Sequence, residues 1–196
     1  MWGIWYNICK TMKMGNIVKA KTFWMTKTAV LLALLIVLQW ITKPLGQLVT
    51  GSCVNAVLAM AALLMGMGSG LTVALLSPIF AFLLGIAPNL VTVPAIMAGN
   101  AIFVALLHWI GGNRLWKQVL AVLAAAAAKF AVLYGAVTWL ICGVAADALL
   151  AQGLLKKPML SMLPATFSWP QLVTALIGGA LAMLCVPVLK KALRNN

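Results

Sequence analysis

Apolar residues gather into long runs along the chain, and the breaks between them are short and rich in glycine, proline and polar residues. Six runs read as helices that cross a bilayer, at roughly 24–42, 47–66, 69–86, 91–110, 115–142 and 171–189. The last of these covers about 28 Å at 1.5 Å per residue, enough to cross the hydrocarbon layer. Backbone in lipid has to satisfy its own hydrogen bonds, so helices are expected. Lys43-Pro44 ends the first run, because proline disfavours helix at the residue before it. Gly66, Gly68 and Gly70 mark a turn between the second and third runs. Pro88-Asn89 and Pro94 separate the third from the fourth, and Gly111, Gly112 and Asn113 end the fourth. Residues 143–170 hold Asp147, Gln152, Gly153, Lys156-Lys157-Pro158, Pro164 and Trp169-Pro170. That segment is too polar and too interrupted to span, and it reads as a long, partly structured outer loop folding back on the protein. Ala175, Gly178 and Ala182 repeat at helical spacing, as do Ala121 and the run Ala124 to Ala128. Small faces of this kind let helices approach closely in lipid, although general alanine richness produces the same pattern.

Composition strengthens the membrane reading. The chain is 65% hydrophobic with a mean hydropathy of +1.11, and only 8% of its residues are charged. There are 14 Lys and Arg against a single acid, Asp147. A water-facing surface needs many charges of both signs, so this surface faces lipid. The expected fold class is an all-α integral membrane protein of the plasma membrane. A net charge of +13 raises nucleic acid as a partner. The charges are scattered thinly between apolar runs, however, which fits loops that flank membrane spans and argues against nucleic acid.

Residues 1–22 carry four lysines and no acid, and they read as a basic cytoplasmic tail that rests on the bilayer through Trp2, Ile4, Trp5 and Tyr6. Residues 23–194 form the expected six-helix membrane domain. The basic stretch before the apolar residues 29–38 imitates a signal peptide, but no small-x-small cleavage site follows, so an uncleaved helix is expected. With six spans and the N-terminus inside, ten of the basic residues fall on the inner side, three on the outer side (Lys43, Lys156 and Lys157), and Lys129 within a span. The positive-inside rule therefore selects N-in, C-in.

The ionisable inventory excludes much chemistry. One histidine, His108, and one acid, Asp147, supply neither a paired-carboxylate site nor a multi-ligand metal site. There is no G-x-S-x-G elbow and no phosphate-binding G-x-x-x-x-G-K-[ST] loop. Cys9, Cys53, Cys142 and Cys185 show no C-x-x-C spacing and read as small packing residues. An enzyme is not expected, nor is a cofactor or metal. Ion-driven transporters usually keep an acid inside the membrane, and no span here has one.

Lys129 is the strongest site signal, near the middle of the fifth span in AAAAAKFAVLYG. A lysine at mid-bilayer costs about 2.5–3.5 kcal/mol on insertion scales. Two readings fit: a side chain that snorkels or bonds a carbonyl, and a cavity lysine that awaits an anionic ligand. Other candidate ligand contacts are Asn100 in the fourth span, Tyr134 and Trp139 in the outer half of the fifth, and Asn89, Trp169 and Gln171 close to outer ends. Tyrosine and tryptophan at span ends also serve as interface anchors. Asn100 fits a helix–helix hydrogen bond equally well. Asn55 and Gln39 read as structural.

Three segments carry a family resemblance: WMTKTAVLLALLIVLQWITKPLGQLVTGS, LSPIFAFLLGIAPN and FSWPQLVTALIGGALAMLCVPVLKKAL. With them, most of residues 24–194 resembles the substrate-binding S components of energy-coupling factor (ECF) transporters, the vitamin importers of prokaryotes. The resemblance implies six helices, a vitamin-like ligand, and a complex with a transmembrane T component and two cytoplasmic ATPases. It implies that Ala29 and Ala33, an alanine-x-x-x-alanine pair on the first helix, contact the T component. It also implies a ligand near the outer face, between helices four to six and under the loop Thr42 to Gln47. Lys129 without an acid then favours an anionic or neutral vitamin over a cationic one. A stand-alone secondary transporter or channel, and a structural membrane protein without a ligand, are the competing readings.

Overall fold

The computed structural model describes residues 2–112 and 114–194. No strand occurs among them. Helix α1 runs over Trp2–Thr42 and is followed by a 3-10 turn at Lys43–Leu45. Helix α2, Gln47–Met60, continues through a wider π-helical stretch at Ala61–Met65. Helix α3 is Met67–Leu83. Helix α4, Val93–Ile110, follows a 3-10 turn at Leu90–Thr92. Helix α5, Leu115–Tyr134, continues as a π-helix over Gly135–Val144. The short helices α6, Ala146–Ala151, and α7, Met159–Thr166, precede α8, Trp169–Arg194.

Among the described residues, five stretches are long and apolar enough to cross a membrane: Lys21–Leu45, Gln47–Met65, Leu90–Ile110, Leu115–Val144 and Met159–Ala192. The sixth apolar helix, α3, has 17 residues, at the lower limit for a span. The six expected spans thus have counterparts in α1, α2, α3, α4, α5 and α8. Six crossings return both ends of the chain to one side of the membrane. At residue 22 the backbone does not change: α1 is a single helix from Trp2 onward, so the composition shift there is not a break in structure.

Residues 143–170 are more regular than expected. Pro158 caps α7, consistent with the preference of proline for helix starts, and Gly153 takes a φ of +69° at the turn after α6. Leu155, Leu163 and Phe167 are buried in a satellite cluster with Ala95, Leu133, Val137 and Ile141. That burial holds the segment down over the ends of α4 and α5.

Within the bundle α2 packs on α8, α4 lies between α3 and α5, α5 also meets α8, and α1 leans on α2 and α3. Small residues make the tightest approaches. A Cβ at Gly178 would lie 2.5 Å from Asn55 Cβ and 2.7 Å from Ala56 N, so only glycine lets α8 come this close to α2. A Cβ at Gly99 would lie 2.7 Å from Leu133 Cγ, which fixes the contact of α4 with α5. Ala121, Ala125, Ala126, Ala175 and Ala182 are buried in the same core. Small-residue packing therefore accounts for the alanine and glycine repeats, because lipid offers helices little drive from apolar burial alone.

Candidate functional site

The loop ends that gather opposite the chain termini enclose a partly open cavity of about 90 Å³. Every spanning helix contributes a polar side chain to it: Gln39 from α1, Thr50 from α2, Ser77 from α3, Asn100 from α4, Lys129 from α5 and Gln171 from α8. The helix register explains this convergence. On α1, Thr28, Leu35, Gln39 and Thr42 lie on one buried stripe, and on α3 Ser69, Val73 and Ser77 do the same. Polar residues on these stripes face neighbouring helices deep in the bundle and the cavity nearer its open end.

Lys129 is 3% exposed and is held from two sides. Its Nζ donates to Asn55 Oδ1 at 2.5 Å and to Asn100 Oδ1 at 2.7 Å. Lysine only donates, so both amides turn their carbonyl oxygens toward it. The ring of Phe103 lies below, with its centroid 5.4 Å from Nζ. The clamp extends further: Asn55 Nδ2 donates to Thr174 Oγ1 at 3.3 Å, and Thr174 Oγ1 donates to the Gln171 carbonyl at 3.1 Å. One network therefore ties α2, α4, α5 and α8 together at the cavity floor. An ammonium has three donors, and the described residues take two of them.

The opposite wall has a different character. Gln39 Oε1 and Ser77 Oγ are buried and have no hydrogen-bond partner among the described residues. Both residues line the cavity. At the rim Lys43 Nζ donates to the Leu84 carbonyl at 3.3 Å, which caps the end of α3 and ties the 42–47 loop to the α3–α4 loop. Among the described residues no group of three or more His, Cys, Asp or Glu side chains comes together to hold a metal.

Three of the seven ligand contacts expected from sequence meet in this cavity: Lys129, Asn100 and Gln171. The other four lie outside its lining. Asn89 accepts from Val91 N at 3.0 Å and donates to the Leu154 carbonyl at 2.7 Å, so its amide holds the 143–170 segment in place. Tyr134 stacks on Phe130 on the outside of α5, and Trp139 and Trp169 are 76% and 63% exposed. Aromatic side chains in such positions suit the membrane interface. Asn55 does more than hold helices together, since it is one half of the lysine clamp. Gln39, Ser77 and Thr50 are lining residues that polarity alone did not single out, and the buried stripes on α1 and α3 were the available signal for the first two. Helices one to three line the cavity as fully as helices four to six.

Ala29 and Ala33 are both exposed and lie one turn apart on the face of α1 turned away from the bundle. Val30, Leu34, Val37 and Ile41 are exposed along the same helix.

The family model described as ECF transporter, substrate-specific component, matches residues 23–190. No curated protein and no solved structure matches the chain.

Proposed function

The chain belongs to the substrate-specific components of ECF transporters, a family of multi-pass plasma-membrane transport subunits, and from that premise we propose that it captures a small vitamin-like solute for import. The observation that carries this reading is the cavity around Lys129, where side chains from all six spanning helices converge. The chain has no phosphate-binding loop and no acid within a span, so the energy comes from other subunits. Substrate-specific components associate with T and ATPase modules in general. For this chain the partners are a T component and two cytoplasmic ATPases, with Ala29 and Ala33 on the contact face of α1. The protein performs no chemistry on its solute: it binds, orients and releases it.

Lys129, Asn100 and Gln171 are the substrate-binding residues that we retain from the sequence reading, and Asn55, Gln39 and Ser77 join them. Asn89 serves the site indirectly through the 143–170 segment, and Tyr134, Trp139 and Trp169 anchor the protein at the interface. The solute is anionic or neutral, because a cation would meet Lys129 with no acid to compensate it. With the basic termini inside, as the positive-inside rule favours, the cavity opens toward the outer side. An affinity-tagged chain purified from its native membrane tests the proposal. Co-purification of a T component and ATPase subunits is expected, and a chain recovered without them under conditions that preserve other membrane complexes would refute it.

A further inference from the structure

We infer that the groove between α2 and α8, at the end of the bundle that carries the chain termini, binds an anionic phospholipid. An acyl chain lies along the groove and the headgroup sits on Lys190 and Lys191. The site is separate from the Lys129 cavity and does not depend on solute capture.

Met60, Leu184, Cys185, Val188 and Leu189 line this groove, an open trough of about 320 Å³. It starts about 20 Å along α8 from Gln171, at 1.5 Å per residue. Both helices contribute to its origin. At Gly178, α8 seats directly on Asn55 and Ala56 and leaves no space. Beyond that contact α2 changes to a wider π-helix at Ala61–Met65, and α8 carries Pro187. Proline has no N–H to offer the carbonyl four residues earlier, and its ring crowds that carbonyl, so α8 departs from regular helix here. A π-helical stretch likewise breaks the regular spacing of side chains. Two irregular helices side by side do not interlock, and Met60 and Leu184 stand where glycine stood one level higher. Leu184, Val188 and Leu189 are exposed, so the trough opens sideways to lipid.

A bare hydrocarbon trough would take any acyl chain, and charge at its end makes it selective. Lys191 continues the Leu184–Val188 row, seven residues beyond Leu184 and so on the same helix face. Lys190 is adjacent to it, and both lysines are exposed. Their stems can run along the apolar surface while the ammonium groups reach headgroup level. The chain's single acid, Asp147, lies on α6 at the opposite end of the bundle, so no carboxylate of the protein can neutralise this pair. A phosphodiester with no cationic group of its own complements them, whereas a zwitterionic headgroup brings a competing positive charge.

Native mass spectrometry of the purified full chain, titrated with dioleoyl phosphatidylglycerol or dioleoyl phosphatidylcholine, resolves each bound lipid and tests this. Phosphatidylglycerol is expected to bind at least about tenfold more tightly, because each lysine beside the headgroup contributes about fivefold. Lys190→Gln with Lys191→Gln should bring the two lipids within about twofold of each other. Arg114→Gln with Lys117→Gln removes the same charge from exposed positions elsewhere at that end of the bundle, and should leave the preference intact. Cys185→Phe and, separately, Val188→Trp put bulk into the groove from exposed positions, so each should keep the fold and weaken both lipids about tenfold. Equal affinities for the two lipids in the native chain would overturn the inference, as would a preference that survives in the Lys190/Lys191 variant. A preference lost equally in the Arg114/Lys117 variant would do so too, since general surface charge produces that result. Groove-filling variants with native lipid affinity would also overturn it, and if they lower the yield of the T-component complex, the groove belongs to that subunit.

Discussion

Replacing Lys129 tests how the clamp on the cavity floor divides its work between fold and ligand. Lys129→Met removes two charge-assisted hydrogen bonds, each contributing about 1.5–3 kcal/mol, and leaves two buried amide oxygens unpaired. It also removes a desolvated ammonium whose burial costs about 2.5–3.5 kcal/mol. These terms largely offset one another, so a modest destabilisation of about 1–2 kcal/mol is expected. Asn100→Leu deletes one acceptor and leaves the lysine under-satisfied, which should cost about 1.5–3 kcal/mol. The decisive quantity is their coupling. Once the lysine is gone, Asn100 no longer pairs with it, so the double variant should be more stable than the sum of the single effects by about 1.5–3 kcal/mol. Reversible unfolding in mixed detergent micelles measures all four proteins on one scale. Additivity within about 0.5 kcal/mol would show that Lys129 and Asn100 do not interact, and would refute the clamp.

Cysteine labels placed at Lys157 should react from outside intact cells, and labels at Arg114 and Arg194 only after permeabilisation; labelling of both ends of the chain from outside would reverse the topology. Ala29→Leu with Ala33→Leu should lower the yield of the complex with the T component while leaving solute binding by the isolated chain unchanged, because bulk on an exposed small-x-x-x-small face blocks close helix approach. An undiminished yield of complex would remove that face from the interface. Gly99→Ala should destabilise the bundle by about 1–3 kcal/mol, since the new methyl would meet Leu133 Cγ at 2.7 Å, and an unchanged unfolding midpoint would contradict the packing described for α4 and α5.

The spans were legible because lipid imposes one simple rule, and runs such as 91–110 and 171–189 have no soluble alternative. The 143–170 segment was harder to read. Its prolines, glycine and lysines break periodicity, and its two short helices exist because Leu155, Leu163 and Phe167 find burial against α4 and α5. At the site, Lys129 and Asn100 stood out because charge and amide are rare within apolar spans. Their partnership did not, since Asn55 lies 74 positions before Lys129 and the packing of the helices brings the three together. Tyr134, Trp139 and Trp169 illustrate the converse difficulty: an aromatic near a span end has the same sequence signature whether it faces a ligand or the interface. Gln39 and Ser77 carry modest polarity, and what marks them is the lack of a partner among the described residues, a property that only the packed helices reveal.

Solute capture in the Lys129 cavity is tested most directly by the melting temperature of the purified chain against a panel of anionic, neutral and cationic vitamins. A ligand that binds only the folded state stabilises it by about 2.7 kcal/mol at a hundred times its Kd. At least one anionic or neutral compound should raise the melting temperature of the native chain, cationic ones should not, and the shift should shrink in Lys129→Met. A panel without effect on the native chain, or a shift of equal size in both proteins, would contradict the account.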